Sequence, residues 1–282
     1  MPADLHLHTH YSDGTFTPQE LVQRAAHSGL TTISLTDHDT AEGCTETAAA
    51  CAQAQIEFIH GTELTTELAG TEFHLLGYGF NPHNPSLNQA FHAFQQGRQD
   101  RIREMAERLQ QHQIPLSAEE IFALANCRSP GRPHVARALV QKGICSSVDE
   151  AFQRFLRRNR PAWTPKTRIT IADAIQLLHQ AGGIAVLAHP GINQADPYLE
   201  TLVEAGLDGI ECFHTKHSPT ASSRYLQFAQ AHQLLITGGS DCHGMAKGNP
   251  LIGSMKLDPL HLQPLREAIN RRQQATLKPQ SH

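Results

Sequence analysis

A chain of 282 residues with 39% hydrophobic and 18% charged content has room for one large α/β domain, or a domain with an insertion, around a substantial core. Its formal charge of −4 supplies no basic field for duplex DNA, so an anionic ligand must be held by local charge. No stretch approaches the roughly 18 apolar residues of a membrane span, no apolar leader precedes Asp4, and six scattered cysteines lack a C-x-x-C pair; the expected compartment is therefore the reducing cytoplasm.

The segment from Ala3 to His8 reads as a strand whose alternation turns His6 and His8 to one face. Thr17-Pro18-Gln19-Glu20 is a capping box with proline at the first helical position, Leu21, Val22, Ala25 and Ala26 form the buried stripe, and Gly29 ends the helix. A strand over Thr31 to Thr36 runs into Asp37-His38-Asp39. An alanine-rich helix then leads to strands at Glu57 to Glu63 and Phe73 to Tyr78. This βαβ rhythm predicts a largely parallel sheet with helices outside.

From Asn88 to Trp163 the rhythm breaks. Helices are predicted through Arg98 to Gln113, from Ser117, after Pro133 and behind Ser147, with no strand candidate between them. The expected organisation is an all-helical insertion, 88–163, between two stretches of one barrel, 1–87 and 164–282. The alternation resumes with a helix over Thr170 to Gln180, a strand ending at His189-Pro190 and a helix near Leu199. A strand over Gly209 to Phe213, a helix from Ser218-Pro219 and a strand before Ser240 to His243 complete the pattern. Residues after about 274 read as a polar, frayed terminus.

His6, His8, Asp13, His38, Glu63, His189, Asp241 and His243 stand at or just after predicted strand ends, the face on which parallel barrels build their active sites. His74 starts its strand instead, which calls for an antiparallel or irregular element. These nine N/O donors exceed what one ion needs and suit two or three. Imidazole and carboxylate without thiolate favour Zn, Mn or Fe. Cys242, between two candidates, should face the other way and pack. Isolated histidines such as His27, His60 and His179 are left as structural or surface residues. One of Asp37 and Asp39 is a candidate to orient His38, with a helix cap as the plain alternative for Asp39.

His6-x-His8, Thr36-Asp37-His38-Asp39, Gly61-x-Glu63, His74 in His-Leu-Leu-Gly-Tyr, His189-Pro190 and Gly239-Ser240-Asp241-x-His243 resemble the motif series of the PHP (polymerase and histidinol phosphatase) family, in order and spacing. The resemblance implies a distorted (β/α)7, TIM-like barrel with a trinuclear metal centre that hydrolyses phosphoesters. It also implies a ligand set: His6, His8, Glu63 and Asp241 on one ion, Glu63 bridging to a second with His74 and His189, and Asp13, His38 and His243 on a third. Mn2+ is the first expectation, with Zn2+ or Fe2+ as alternatives.

Gly131-Arg132-Pro133-His134 before a helix, with Arg98 and Arg101 one turn apart, resembles the branch of the family that acts on 3',5'-nucleoside bisphosphates and short RNA 5' ends. Arginine and backbone N–H groups at a helix start suit phosphate, and His217 is a further candidate for substrate contact. The expectation is an enzyme removing the 3'-phosphate of such bisphosphates, with short 5'-phosphorylated RNA as a second substrate. No membrane or obligate protein partner is expected. The alternatives are a phosphatase of another small ester, such as histidinol phosphate, and a non-catalytic metal- or nucleotide-binding module.

Overall fold

The computed structural model describes residues 2–166 and 168–277. Strand β1 (Ala3–Leu7) pairs in parallel with β2 (Thr32–Leu35), and β2 in parallel with β3 (Glu57–Leu68). β4 (Thr71–Tyr78) then turns back antiparallel, between β3 and β6 (Ile184–Leu187). Parallel pairing resumes through β7 (Gly209–His214) and β8 (Leu235–Gly239). The path β1-β2-β3-β4-β6-β7-β8 closes into a distorted barrel: Leu7 bridges Cys242 in parallel, and the Asp241 N–H donates to His6 O at 2.9 Å. A two-residue strand β5 (Ile169–Thr170), which the sequence pattern did not single out, pairs with the extension of β3.

Helices cover the outside. α1 (Pro18–His27) begins at the Thr17 capping box, and with α2 (Cys44–Ala54) it packs Leu21, Val22 and Cys51 over Leu7, Ile33 and Leu35. α7 (Ile171–Gln180), α8 (Leu199–Glu204) and α9 (Pro219–Ala231) bury Ile175, Leu178, Leu202 and Tyr225 against β4, β6 and β7. α10 (Pro259–Leu277), for which the sequence pattern gave no expectation, carries Pro264 inside it. Its Leu262 and Leu265 join Ala3, Ile59, Tyr78 and Ile184 in a floor under the starts of the parallel strands. The expectation of fraying after about 274 fails at 275–277, which remain helical, and otherwise lies outside the described residues.

Between β4 and β5 come α3 (Pro85–Gln111), α4 (Ala118–Ala125), α5 (Arg132–Gln141) and α6 (Val148–Ala151), the last running into a π-helical turn over Phe152–Leu156. Asn84, not a residue near Arg98, caps α3, so the helix starts well before the predicted point. At 27 residues it spans about 40 Å. Leu87 and Phe91 at its start are anchored in the barrel core, while Ile102, Met105 and Leu109 join Ile121, Leu139 and Leu156 in a separate apolar core. One rigid rod thus mounts the helical layer on the barrel. No helix among the described residues is long and apolar enough to cross a membrane.

Candidate metal centre

The antiparallel turn of β4 explains the outlier among the candidate ligands. Because β4 runs against its neighbours, its beginning lies at the end where the parallel strands finish; His74 pairs with Thr65, and its carbonyl accepts the Ala188 N–H. His6 on β1 and His8 just after it, His38 after β2, His189 after β6, and Asp241 and His243 after β8 meet it there.

Glu63 is the hub. Its Oε1 lies 2.7 Å from His74 Nδ1 and 2.9 Å from His189 Nε2. Its Oε2 lies 3.3 Å from both His6 Nε2 and His8 Nε2 and 3.1 Å from His38 Nδ1. Asp241 Oδ1 is 3.3 Å from His8 Nε2 and 3.6 Å from His6 Nε2. Asp13 sits 3.3 Å from His243 Nε2 and 3.9 Å from His38 Nε2. All nine predicted donors therefore converge. They fall into four overlapping sets: His8, Asp13, His38 and His243; His6, His8 and Asp241; His6, Glu63 and His189; and His38, Glu63 and His74.

The donors fit divalent cations. His6 Nε2, both ring nitrogens of His8, His38 Nδ1, Asp13 Oδ1 and Glu63 Oε2 are buried without a hydrogen-bond partner among the described residues. Each such orphan costs about 1–3 kcal/mol if nothing satisfies it. Burial disfavours charge on Glu63, but His38, His74 and His6 hold its carboxyl well below the usual range. Asp13 is likewise held low against burial, by His243 and His38. Burial drives His38 well below its ordinary value. The carboxylates thus offer full negative charge, and they in turn hold His6, His8 and His74 above their ordinary values against burial, so that a cation would take the place of protons there.

Around the donors lies a bracing layer. Glu211 on β7 accepts the His189 N–H at 2.7 Å and lies 3.0 Å from His6 Nδ1. His214, fully buried, approaches Asp241 Oδ2 at 3.6 Å. A bulge in β7 between Glu211 and Phe213 lets residues three apart both face the site. Neither Asp37 nor Asp39 bonds the His38 ring. Asp37 instead accepts from the Thr9 N–H and hydroxyl and the Ser12 hydroxyl, pinning the loop that carries Asp13. Asp39, at φ +53°, accepts the Thr65 N–H and Arg98 Nε, while α2 is capped at Gly43. Cys242 is buried beside Leu7, as its alternation predicts.

The predicted anion-binding residues occupy the helical layer beside β4. Arg98 is tied to Asp39 at 2.6 Å and to Thr65, and the buried Arg101 donates to Thr164 O at 2.9 Å. Burial, then the charges of Arg132 and Arg98, push Arg101 down to about 9. Arg132 lies over the Phe152 ring at 5.9 Å and makes no hydrogen bond or ion pair among the described residues. His134 accepts the Gly131 N–H at 3.0 Å and is pushed down to about 4, chiefly by burial, so it closes the α5 turn as a neutral ring. His217 has both nitrogens on backbone: Nδ1 faces Cys212 O at 3.1 Å, and Nε2 accepts the Gly191 N–H at 3.2 Å.

Sequence reasoning missed Glu211, Glu72, Lys166 and Arg168. Glu72 is 2.7 Å from Lys166 Nζ, 2.9 Å from Arg168 Nη2 and 3.4 Å from His74 Nε2, so it joins the cation pocket to the donor cluster. Burial pushes Lys166 down to about 8, with Glu72 offsetting part of the effect. The available signals were a lone carboxylate inside the apolar run Gly-Ile-Glu-Cys-Phe-His, and two cations where the chain returns to the barrel.

Residues 4–160 match the PHP domain. The chain is 32% identical over 258 residues to a 3',5'-nucleoside bisphosphate phosphatase of Chromobacterium violaceum, covering 89% of this chain and 90% of that protein. It is 34% identical over 247 residues to a 5'-3' exoribonuclease of Escherichia coli, covering 85% and 84%. A candidate metal-dependent phosphoesterase from Bifidobacterium adolescentis has the same fold, with a TM-score of 0.88 at 32% identity over 94% of this chain and 96% of that one. A structure from C. violaceum, described as an amidohydrolase with bound sulfate and no metal, superposes with a TM-score of 0.85 at 29% identity over 96% of each chain.

Proposed function

This chain belongs to the PHP domain family, and on that footing we propose that it removes the 3'-phosphate from nucleoside 3',5'-bisphosphates, leaving a nucleoside 5'-monophosphate and phosphate. The observation that carries the reading is adjacency. Glu72 touches candidate ligand His74 on one side and Lys166 and Arg168 on the other, with Arg98, Arg101 and Arg132 near enough to perturb one another's charge. A metal-competent cluster beside a cation pocket suits a substrate with two phosphates.

In this reading His6, His8, Glu63 and Asp241 hold one ion, Glu63 with His74 and His189 a second, and Asp13 with His38 and His243 a third; Mn2+ is the first choice and Zn2+ or Fe2+ the alternatives. Two of the donor sets favour the first and third of these groupings, and for the second the support is that His74 and His189 both lie against Glu63 Oε1, at 2.7 and 2.9 Å. The chemistry such ions supply is activation of water near neutral pH and neutralisation of phosphoryl charge. Water attacks phosphorus, the bond to the 3'-oxygen breaks, and the proton taken from water ends on that oxygen. The segment 88–163 acts as a cap gripping the second phosphate. Arg132 makes no hydrogen bond or ion pair among the described residues and is the prime contact. Arg98 and Arg101 shape the pocket from their fixed ties, and His134 and His217 hold the loops at α5 and at His189. Nucleotide substrates and free thiols at all six cysteines suit the cytoplasm.

The same site serves 5'-phosphorylated short RNA, since a phosphodiester changes only the leaving group; the exoribonuclease relative favours this second substrate. Phosphate release from adenosine 3',5'-bisphosphate with Mn2+ should exceed that from histidinol phosphate, and a 5'-phosphorylated oligoribonucleotide should shorten from its 5' end. No turnover on any of the three by metal-loaded protein would overturn the assignment.

The cation pocket should also give a pH signature. Lys166, at about 8, is charged below that value and loses its charge as pH rises through it. KM for the bisphosphate should therefore climb several-fold from pH 7 to 9. Lys166→Arg, which stays charged throughout that range, should flatten the climb. An equal climb in the variant would remove Lys166 from phosphate binding.

A further inference from the structure

We propose that Glu211 is a positioning residue that fixes which nitrogen of His6 carries the proton and clamps the turn at His189, so that one buried carboxylate prepares ligands of two different ions. The inference rests on the reading of His6 and His189 as ligands.

Glu211 is fully buried, and both of its oxygens are committed. Oε1 lies 3.0 Å from His6 Nδ1, and Oε2 accepts the His189 N–H at 2.7 Å. A carboxylate only accepts, so Nδ1 of His6 carries a proton towards Glu211, and Nε2 is the nitrogen left to offer a lone pair to a cation. That Nε2 is the atom buried without a hydrogen bond, 3.3 Å from Glu63 Oε2 and 3.6 Å from Asp241 Oδ1. With neither oxygen to spare, Glu211 is poorly placed as a base or a ligand itself.

The second oxygen acts on backbone. His189 has φ +29°, a conformation that residues with a Cβ seldom adopt, and it precedes Pro190. Its N–H is held by Glu211, while the next turn is held by the Gly191 N–H on His217 Nε2. Both braces come from β7 and the loop that follows it. The β7 bulge is what brings Glu211 and His214 to the same side.

Glu211→Gln tests this with nearly unchanged volume. An amide accepts at one end and donates at the other, so it can satisfy His6 Nδ1–H or the His189 N–H, but not both. Zinc uptake by the full chain, measured by dialysis against graded free Zn2+, should show one ion bound roughly 10–100-fold more weakly than in wild type. Nitrogen-15 spectra of the zinc-loaded wild type should show His6 protonated on Nδ1 and coordinating through Nε2.

A wild-type zinc isotherm for the variant would overturn the proposal and leave the ligand reading intact. Wild-type spectra with His6 coordinating through Nδ1 would overturn it even if the variant failed to fold. No zinc uptake by wild type would overturn the ligand reading, and this inference with it.

Discussion

Glu63→Ala should leave a folded protein that releases no measurable phosphate. One carboxylate touches five imidazoles, those of His74 and His189 through one oxygen and those of His6, His8 and His38 through the other. Losing an outer hydrogen-bond partner typically costs a metal site roughly 10–100-fold, and removing this shared donor should exceed that range. The expected readouts are a fall in metal stoichiometry of at least one ion and a smaller rise in melting temperature on adding Mn2+, since ligand stabilisation follows occupancy. Near-normal turnover at full metal content would remove Glu63 from the centre.

Gly239→Ala should damage the same site from the opposite direction. A Cβ at Gly239 would fall 2.3 Å from His6 Cβ and 2.5 Å from His6 N, where β8 passes β1 at the barrel closure. The obstacle includes backbone, which cannot swing aside, so β1 and β8 must part. Overpacking of this kind typically costs about 1–3 kcal/mol, with roughly 2–4 °C of melting temperature per kcal/mol in a large domain. His6 should shift with its strand, so metal content and turnover should fall even at temperatures where the variant is folded. Thermal unfolding with and without metal, together with metal analysis, separates these effects. An unchanged melting temperature would mean that the closure yields more easily than its geometry indicates.

The sequence made the donor set legible because each donor sits where a periodic signal changes. His6 and His8 share a strand face, and His38, His189, Asp241 and His243 follow the ends of apolar runs. His74 was recognisable as a donor while its position was not. Only pairing shows that β4 is antiparallel, and nothing within Phe-His-Leu-Leu-Gly-Tyr specifies direction. Glu211 stayed hidden because a bulge breaks the two-residue period that strand reading relies on. Arg98 and Arg101 looked equivalent one turn apart, yet their partners, Asp39 and the Thr164 carbonyl, are distant in sequence. Lys166 and Arg168 gain their place through Glu72, another long-range contact. α10 keeps Pro264 within a helix, its helix-breaking tendency offset by packing of Leu262 and Leu265 against the floor.

The barrel closure has a consequence for how the protein comes into being. Residue 6 meets residue 241 across the seam, and Leu7 meets Cys242. During synthesis one edge of the first strand can pair with β2 early, while its other edge must wait until β8 has been made. Contacts of such sequence separation form late and slowly. A cation held by His6, His8 and Asp241 would act as a cross-link between the two ends of the chain, added after the seam has formed. Occupancy of that one ion would then report on complete barrels: a product truncated before β8 would keep the donors His6, Glu63 and His189 and lack the seam. The unit that makes the site reactive would also be the one that locks the finished fold.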